Sequence, residues 1–185
     1  MTNISLAQFC ERAYNSAKLK GFYTNNQSDD AYIAGIHSEL SEAFDAWNKN
    51  LGFYIPYNGT NEPGGVIFEL VDAVIRALSY CGYKGLTPKT LEVTTDRPYV
   101  QDDLCDMILR SHLELSQYYE LIGKETRDDF EYQLVVKCSE NIFSSFIDRI
   151  ERFIVDTINV ELDKLIEMKF AYNSTRGFRH GSHKV

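Results

Sequence analysis

A chain of 185 residues can bury the core of one compact domain, and its 44% share of hydrophobic residues is ordinary for a globular protein. Its formal net charge of −8 argues against the basic surface of a general nucleic-acid binder, so we expect no nucleic-acid partner. It has no apolar run near the roughly 18 residues of a membrane span and no secretory leader at its start, which predicts a cytoplasmic protein.

Helical periodicity dominates the sequence, because apolar residues recur at spacings of three and four through most of it. In the second predicted helix the apolar stripe consists of Ile33, Ile36, Leu40, Ala43, Phe44 and Trp47. Similar stripes begin at Val71 and Phe143, and turn-forming runs rich in Gly, Asn and Pro separate the segments. These features predict one all-α domain over residues 1–185, folded as a helical bundle of roughly six to eight helices.

Two of the predicted helices carry acidic pairs with a spacing of three. Glu39 and Glu42 lie in IHSELSEAFDAW, and Glu69 and Asp72 lie in FELVDAVIRAL. At 100° per residue the members of each pair are about 60° apart, so each pair can face a common point. If the two helices pack antiparallel, four carboxylates converge, and a hard divalent cation such as Mg²⁺ would relieve their repulsion. The alternative is a solvated acidic face in which Asp72 pairs with Arg76 one turn later.

The second half of the chain echoes the first. HSELSEAF aligns with HLELSQYY so that His37 matches His112, and ELVDAVIRAL aligns with SFIDRIERFI so that Asp72 matches Asp148. These features predict an internal repeat of residues 30–93 and 104–168 that folds as a pseudo-dimer of helical hairpins.

The two copies of the predicted repeat differ in their acidic residues. Glu42 is replaced by Gln117 and Glu69 by Ser145 in the second copy. Loss of two carboxylates would remove a metal site, so we expect the metal site and its chemistry in the first copy. The second copy is expected to be a degenerate scaffold.

The C-terminal segment 169–185 is basic in an otherwise acidic chain. It contains Lys169, Arg176, Arg179 and Lys184 and no Asp or Glu. Such a segment indicates either a local anion site or a solvated end.

Taken in order, GIHSELSEAFDAW, FELVDAVIRALSYCG and IEMKFAYNSTRGFRHG resemble the MazG-like nucleotide pyrophosphohydrolases of the all-α NTP pyrophosphatase superfamily. That family is marked by an ExxE helix, a later ExxD helix and a lysine–arginine element of the form K-F/Y-x-x-N-x-x-R. AKLKGFY, residues 17–23, is similar to the opening segment of these proteins. The resemblance covers residues 17–85 and 162–182, and a long stretch between CGYKG and IEMKF departs from the family pattern.

The resemblance implies hydrolysis of a nucleoside triphosphate to the monophosphate and pyrophosphate, a nucleotide-pool housekeeping reaction that uses Mg²⁺, or Mn²⁺ in its place. It implies metal ligands at Glu39, Glu42, Glu69 and Asp72, without indicating which carboxylate orients the metal-activated water. It implies phosphate-binding residues at Lys169, Asn173 and Arg176. Further candidates for substrate binding are Tyr172, Arg179, His180, His37, Trp47 and Lys20.

Several of these assignments have a structural alternative. Trp47 continues the apolar stripe of its helix and is expected in the core. His37 is equally suited to a helix surface, and its echo at His112 favours a structural role. Lys20 is expected to face solvent before it is expected to bind phosphate.

Other functions also remain open. A catalytically inactive helical scaffold that binds nucleotides or a partner would have the same fold, and a dUTPase-like enzyme would differ only in its substrate. Because neither copy carries a full site, we expect one composite site per chain, in a monomeric pseudo-dimer or in a homodimer.

Overall fold

Six α-helices form the part of the chain that the computed structural model describes, residues 5–23, 28–59, 61–89, 103–123 and 128–176, and they confirm the predicted all-α class. The helices are α1 (Leu6–Leu19), α2 (Asp29–Asn48), α3 (Val66–Lys84), α4 (Leu104–Ile122), α5 (Asp129–Ile158) and α6 (Leu162–Thr175). Outside the helices, these residues contain a single antiparallel bridge, between Ile55 and Gly64.

Local sequence signals explain where several helices begin and end. The Ser5 side chain accepts a hydrogen bond from the backbone N–H of Gln8 and closes a capping box at α1, and Asp103 and Asp128 cap α4 and α5 in a similar way. After α3 the chain turns through Gly85, whose φ of 68° lies in the left-handed region that glycine adopts without a Cβ clash. These caps satisfy backbone groups that a helix end leaves unpaired.

Helix α3 is the centre of the bundle and contacts α1, α2, α5 and α6. Twelve of its 19 residues are buried, as expected for a helix that is apolar on most of its circumference. At Gly82 the backbone of α1 comes so close that an added Cβ would lie 2.5 Å from the Cys10 carbonyl oxygen. Because α3 is enclosed in this way, its polar residues Glu69 and Asp72 must find partners inside the bundle.

Helices α2 and α3 run antiparallel along one groove. Arg76, late in α3, contacts Glu39 in the middle of α2, whereas Val66 at the start of α3 and Ala46 near the end of α2 line one cleft. The two acid-bearing helices therefore meet the condition under which their carboxylates can converge.

The predicted apolar stripe of α2 is wrong at Phe44 and Trp47, which are 39% and 46% exposed. At 100° per residue they lie 100° beyond Ala43 and Ala46, which are the positions that α2 buries. The buried side is thus narrower than the run of apolar residues, and Trp47 is not a core residue.

A membrane span is absent from the helices that the structure describes, since none of them combines enough length with enough hydropathy.

Candidate metal centre

Three acidic side chains meet in the groove between α2 and α3. Glu39, Glu69 and Asp72 each offer a carboxylate oxygen, and these three oxygens lie within 4.8 Å of one another. Glu39 is 5% exposed, so a solvated acidic face is the wrong description of this residue. Within the described residues no other set of three potential metal-binding side chains brings its ligand atoms this close. A cluster of carboxylate oxygens is the donor set that hard cations such as Mg²⁺ prefer.

Two basic side chains are paired with this cluster. Arg76 Nε lies 2.5 Å from Glu39 Oε1, and Lys169 Nζ lies 2.7 Å from Asp72 Oδ2. The predicted pair between Asp72 and Arg76 is therefore wrong as a direct contact, because α2 presents Glu39 to Arg76 and α6 presents Lys169 to Asp72. Lys169 is only 4% exposed and also lies 5.8 Å from the centre of the Phe68 ring.

The carboxylates are held where ionisation is costly. Burial raises the pKa of Glu39 from its ordinary value of 4.5 to about 7, and the nearby Arg76 opposes the shift. Burial and then Asp72 raise the pKa of Glu69 to about 7, against the opposing charge of Lys169. Burial also raises the pKa of Asp72, again opposed by Lys169. Perturbed carboxylates of this kind are typical of functional sites.

Glu42 stands apart from the other three predicted ligands. Its side chain is exposed and accepts a hydrogen bond of 2.9 Å from Ser38 Oγ. Its charge nevertheless raises the pKa of both Glu39 and Glu69, so it lies at the rim of the same site.

The end of α6 brings together several predicted phosphate-binding residues. Arg176 Nη1 lies 3.8 Å from Glu62 Oε1, its guanidinium carbon is 5.4 Å from the centre of the Tyr172 ring, and Lys20 Nζ donates to the Arg176 carbonyl oxygen. Asn173 is half-buried, and its carbonyl oxygen accepts from the Arg176 backbone N–H. The positive charge of Arg176 also opposes the raised pKa of Asp72, which connects this end of α6 electrostatically with the carboxylates.

Arg179 and His180 lie outside the described residues, as do residues 90–93 of the predicted first repeat.

His37 is not part of the carboxylate cluster. Its Nδ1 lies 2.6 Å from Nδ1 of His112, and the two rings stack with an interplanar angle of 5°. Burial lowers the pKa of both imidazoles, which favours their neutral forms, and two neutral rings can share a hydrogen bond between their Nδ1 atoms.

In the described part of the second half, the two acidic residues aligned with the cluster are paired with hydroxyl or basic groups and form no carboxylate cluster. Glu114 Oε1 accepts from Ser145 Oγ at 2.6 Å and from Arg149 Nη2 at 2.8 Å. Asp148 Oδ2 lies 2.9 Å from Arg152 Nε. Ser145, the aligned counterpart of Glu69, thus donates a hydrogen bond where the first half brings a further carboxylate.

Two residues of the site were not predicted as site residues. Arg76 was considered only as a partner of Asp72, and Glu62 follows no recognisable pattern. The position of Arg76, one turn after an acidic pair on a buried helix, could have indicated that it belongs to the site. A buried carboxylate requires a nearby cation. Glu62 belongs to the α2–α3 loop, and no periodicity indicates its position.

Comparison of the chain with protein-family models, with curated proteins and with solved structures gives no match.

Proposed function

We propose that this chain is a cytoplasmic, Mg²⁺-dependent nucleoside triphosphate pyrophosphohydrolase of MazG type that serves nucleotide-pool housekeeping. The observation that carries the proposal is the meeting of Glu39, Glu69 and Asp72 between two helices, beside the basic side of α6. Mn²⁺ offers similar chemistry and is expected to substitute for Mg²⁺.

The charges at the site support a bound divalent cation. The three clustered carboxylates outnumber the two basic side chains paired with them, Arg76 and Lys169, and Glu42 adds negative charge at the rim. This excess of negative charge favours a bound divalent cation, and because the described residues contain one such cluster we infer one metal ion per chain. When bound, Mg²⁺ would neutralise phosphate oxygens and lower the pKa of a coordinated water.

The basic residues of α6 are placed to hold the triphosphate. Lys169 already lies within hydrogen-bond distance of Asp72, and its ammonium group can donate to a phosphate oxygen at the same edge of the site. The Arg176 guanidinium lies 3.8 Å from Glu62 and over the Tyr172 ring, and its planar donors can bind phosphate in a bidentate manner. Asn173 lies between them along the helix and can donate from its side-chain amide.

Glu42 is our candidate for orienting the attacking water. It is the exposed carboxylate at the rim, one helical turn from Glu39, and its only hydrogen bond here is from Ser38. A carboxylate in this position can accept a proton from a water that attacks the α-phosphorus. The bond from the α-phosphorus to the bridging oxygen then breaks, and pyrophosphate leaves with its charge neutralised by the basic residues.

We further propose that the two halves of the chain form a pseudo-dimer. In an isologous pair, equivalent residues near the axis contact each other, and the aligned His37 and His112 are in contact. Glu39 and Glu114 are also aligned, and each accepts from an arginine of the following helix, Arg76 and Arg149 respectively. Both halves thus have an arginine beside the aligned glutamate, and they differ in the next position, where Ser145 stands in place of Glu69.

A catalytically inactive binding scaffold is the second candidate function. The observation in its favour is that Arg76 and Lys169 already neutralise part of the cluster, so the fold tolerates the carboxylates without a metal. A dUTPase-like enzyme would use the same site and differ in the base that it accepts.

The proposal is tested by incubating the purified chain with a panel of ribo-, deoxyribo- and modified nucleoside triphosphates, with and without Mg²⁺. Pyrophosphate and orthophosphate are assayed separately, and dUTP is included to identify a dUTPase-like preference. Mg²⁺-dependent release of pyrophosphate with the monophosphate supports the proposed reaction. A folded protein that binds nucleotides but releases neither product would support the scaffold instead.

A further inference from the structure

A cleft of ≈ 290 Å³ opens at the end of the α2–α3 groove, beyond the carboxylates. It is lined by Ala46, Trp47, Asn50, Gly52, Phe53 and Val66. Its apolar and aromatic lining with a single side-chain amide is the composition expected of a small-molecule pocket.

The cleft and the carboxylate cluster share the same groove. Ala46 follows Glu39 by seven residues, which returns it to within about 20° of the same face and places it about 10 Å further along the helix. On α3, Val66 precedes Glu69 by one helical turn. A ligand with its phosphates at the carboxylates would therefore extend its other end toward the cleft.

The far wall of the cleft is fixed by backbone hydrogen bonds. The Gly52 carbonyl accepts from the Val66 N–H at 3.2 Å, and the Phe53 carbonyl accepts from the Ile67 N–H at 3.0 Å. Gly65 adopts a φ of 83°, and a Cβ there would lie 2.7 Å from the Gly52 oxygen. These contacts place the loop against the first turn of α3, so the described protein already contains the cleft without a ligand.

Trp47 gives the cleft a surface for stacking. It is the single tryptophan of the chain, about half of it is exposed, and its ring centre lies 5.8 Å from that of Phe44. Aromatic faces stack on any nucleobase, and the Asn50 amide can both donate to and accept from the edge of a base.

We propose that this cleft binds the nucleobase of the substrate, with Trp47 as the stacking surface and Asn50 at the base edge. This inference rests on the proposed function, because it assumes that the phosphates lie at the carboxylates. Sugar and α-phosphate would then bridge the distance between the two ends of the groove.

The first test uses the fluorescence of Trp47, which reports on the cleft alone. The full chain is titrated with nucleoside monophosphates and, separately, with inorganic pyrophosphate, using free tryptophan to correct for absorption. Saturable quenching by monophosphates but not by pyrophosphate is expected. Equal responses to both, or no response to any nucleotide, would overturn the assignment.

The second test compares substrates with and without a base. Trp47→Ala is expected to raise KM for the preferred triphosphate about tenfold, because stacking is lost, while Trp47→Phe recovers most of the affinity. Hydrolysis of inorganic tripolyphosphate, which has no base, should be the same in both variants and the wild type. Phe130→Ala, which removes an exposed aromatic of α5 that does not line the cleft, is the matched control.

The results separate this inference from the proposed function. If Trp47→Ala released pyrophosphate as efficiently as the wild type, the proposed enzymatic activity would still hold. The assignment of the cleft to the nucleobase would be overturned. Base-dependent quenching without hydrolysis of any triphosphate would support the cleft and contradict the enzyme.

Discussion

Glu39, Glu69 and Asp72 are partly or fully withdrawn from water and lie close to one another, yet among the described residues only two basic side chains are paired with them. Buried like charges are expensive, so this arrangement is favourable only if protons or a cation neutralise the remainder. The raised pKa values of Glu39 and Glu69 correspond to neutralisation by protons, and metal binding corresponds to neutralisation by a cation.

The clustered carboxylates and Glu42 are expected to respond differently to loss of charge. Glu69→Gln should abolish metal binding and lower turnover at least about 100-fold, because it removes a ligand from the centre of the site. Glu42→Gln should keep most of the metal affinity but lower kcat by about 100-fold or more, as expected for loss of a general base. Calorimetric Mg²⁺ titration and steady-state kinetics measure both effects.

Asp45→Asn is the control for these variants, because Asp45 is exposed on the same helix and pairs with Lys49. It should leave metal binding and turnover unchanged. If Glu42→Gln lost metal binding as completely as Glu69→Gln, Glu42 would be a ligand and not the residue that orients the water.

The raised pKa values also predict how stability depends on pH. Between the ordinary pKa of 4.5 and the folded value of about 7, the folded metal-free chain binds more protons than the unfolded chain at Glu39 and Glu69. These two groups therefore lower the free energy of unfolding as pH rises through this window. Because Mg²⁺ requires deprotonated ligands, we expect it to raise Tm strongly at about pH 8 and little at about pH 5.5.

Thermal melts with and without Mg²⁺, at matched ionic strength, measure this effect. The lowered pKa values of His37 and His112 act in the opposite direction, because they reduce the free energy of unfolding as pH falls below 6.5. That contribution is present in both melts, so the increment due to Mg²⁺ isolates the carboxylates. An equal increment at both pH values would contradict the assignment.

At the scale of the helices, the site depends on how closely α1 and α2 enclose α3. Gly82→Ala places a Cβ 2.5 Å from the Cys10 carbonyl, so α1 must move, and we expect a loss of about 1–3 kcal/mol in the free energy of unfolding. Gly123→Ala is the matched control, because its nearest neighbour would lie at 3.6 Å. Urea denaturation measures both, and equal stabilities would show that the α1–α3 contact is not as tight as described.

Spacing along a helix predicted that four acidic side chains converge, and three of them, Glu39, Glu69 and Asp72, do meet, whereas Glu42 lies at the rim. It could not predict the ion pairs, because whether Arg76 contacts Asp72 on its own helix or Glu39 on the next depends on how the two helices pack. The burial of Lys169 likewise depends on where α6 docks. Trp47 was misplaced because hydrophobicity alone does not indicate how wide a strip the neighbouring helices cover.

At the scale of the whole molecule, the packing of α2 against α4 bears on the oligomeric state, because contact between the two halves of one chain could replace contact between two subunits. The contact between His37 and His112 puts the two halves side by side, and Arg149 beside Glu114 gives the second half its own internal cation. We therefore expect a monomer of 21.3 kDa in solution, which multi-angle light scattering measures directly. A stable species of twice that mass would favour the homodimer. It would contradict the expectation that the internal pseudo-dimer replaces dimerisation of two chains.

The central claim is that each chain holds a single carboxylate metal site. The number of metal ions bound per chain tests this claim most directly. Mn²⁺ is titrated into the chain and into Glu69→Gln, and free ion is measured by electron paramagnetic resonance, with circular dichroism to verify that both remain helical. We predict one tightly bound ion per chain in the wild type and none in the variant. If the folded wild type bound no ion, the proposed metal site would be contradicted. If it bound two equivalent ions, the inference that the second half has lost its metal site would be contradicted.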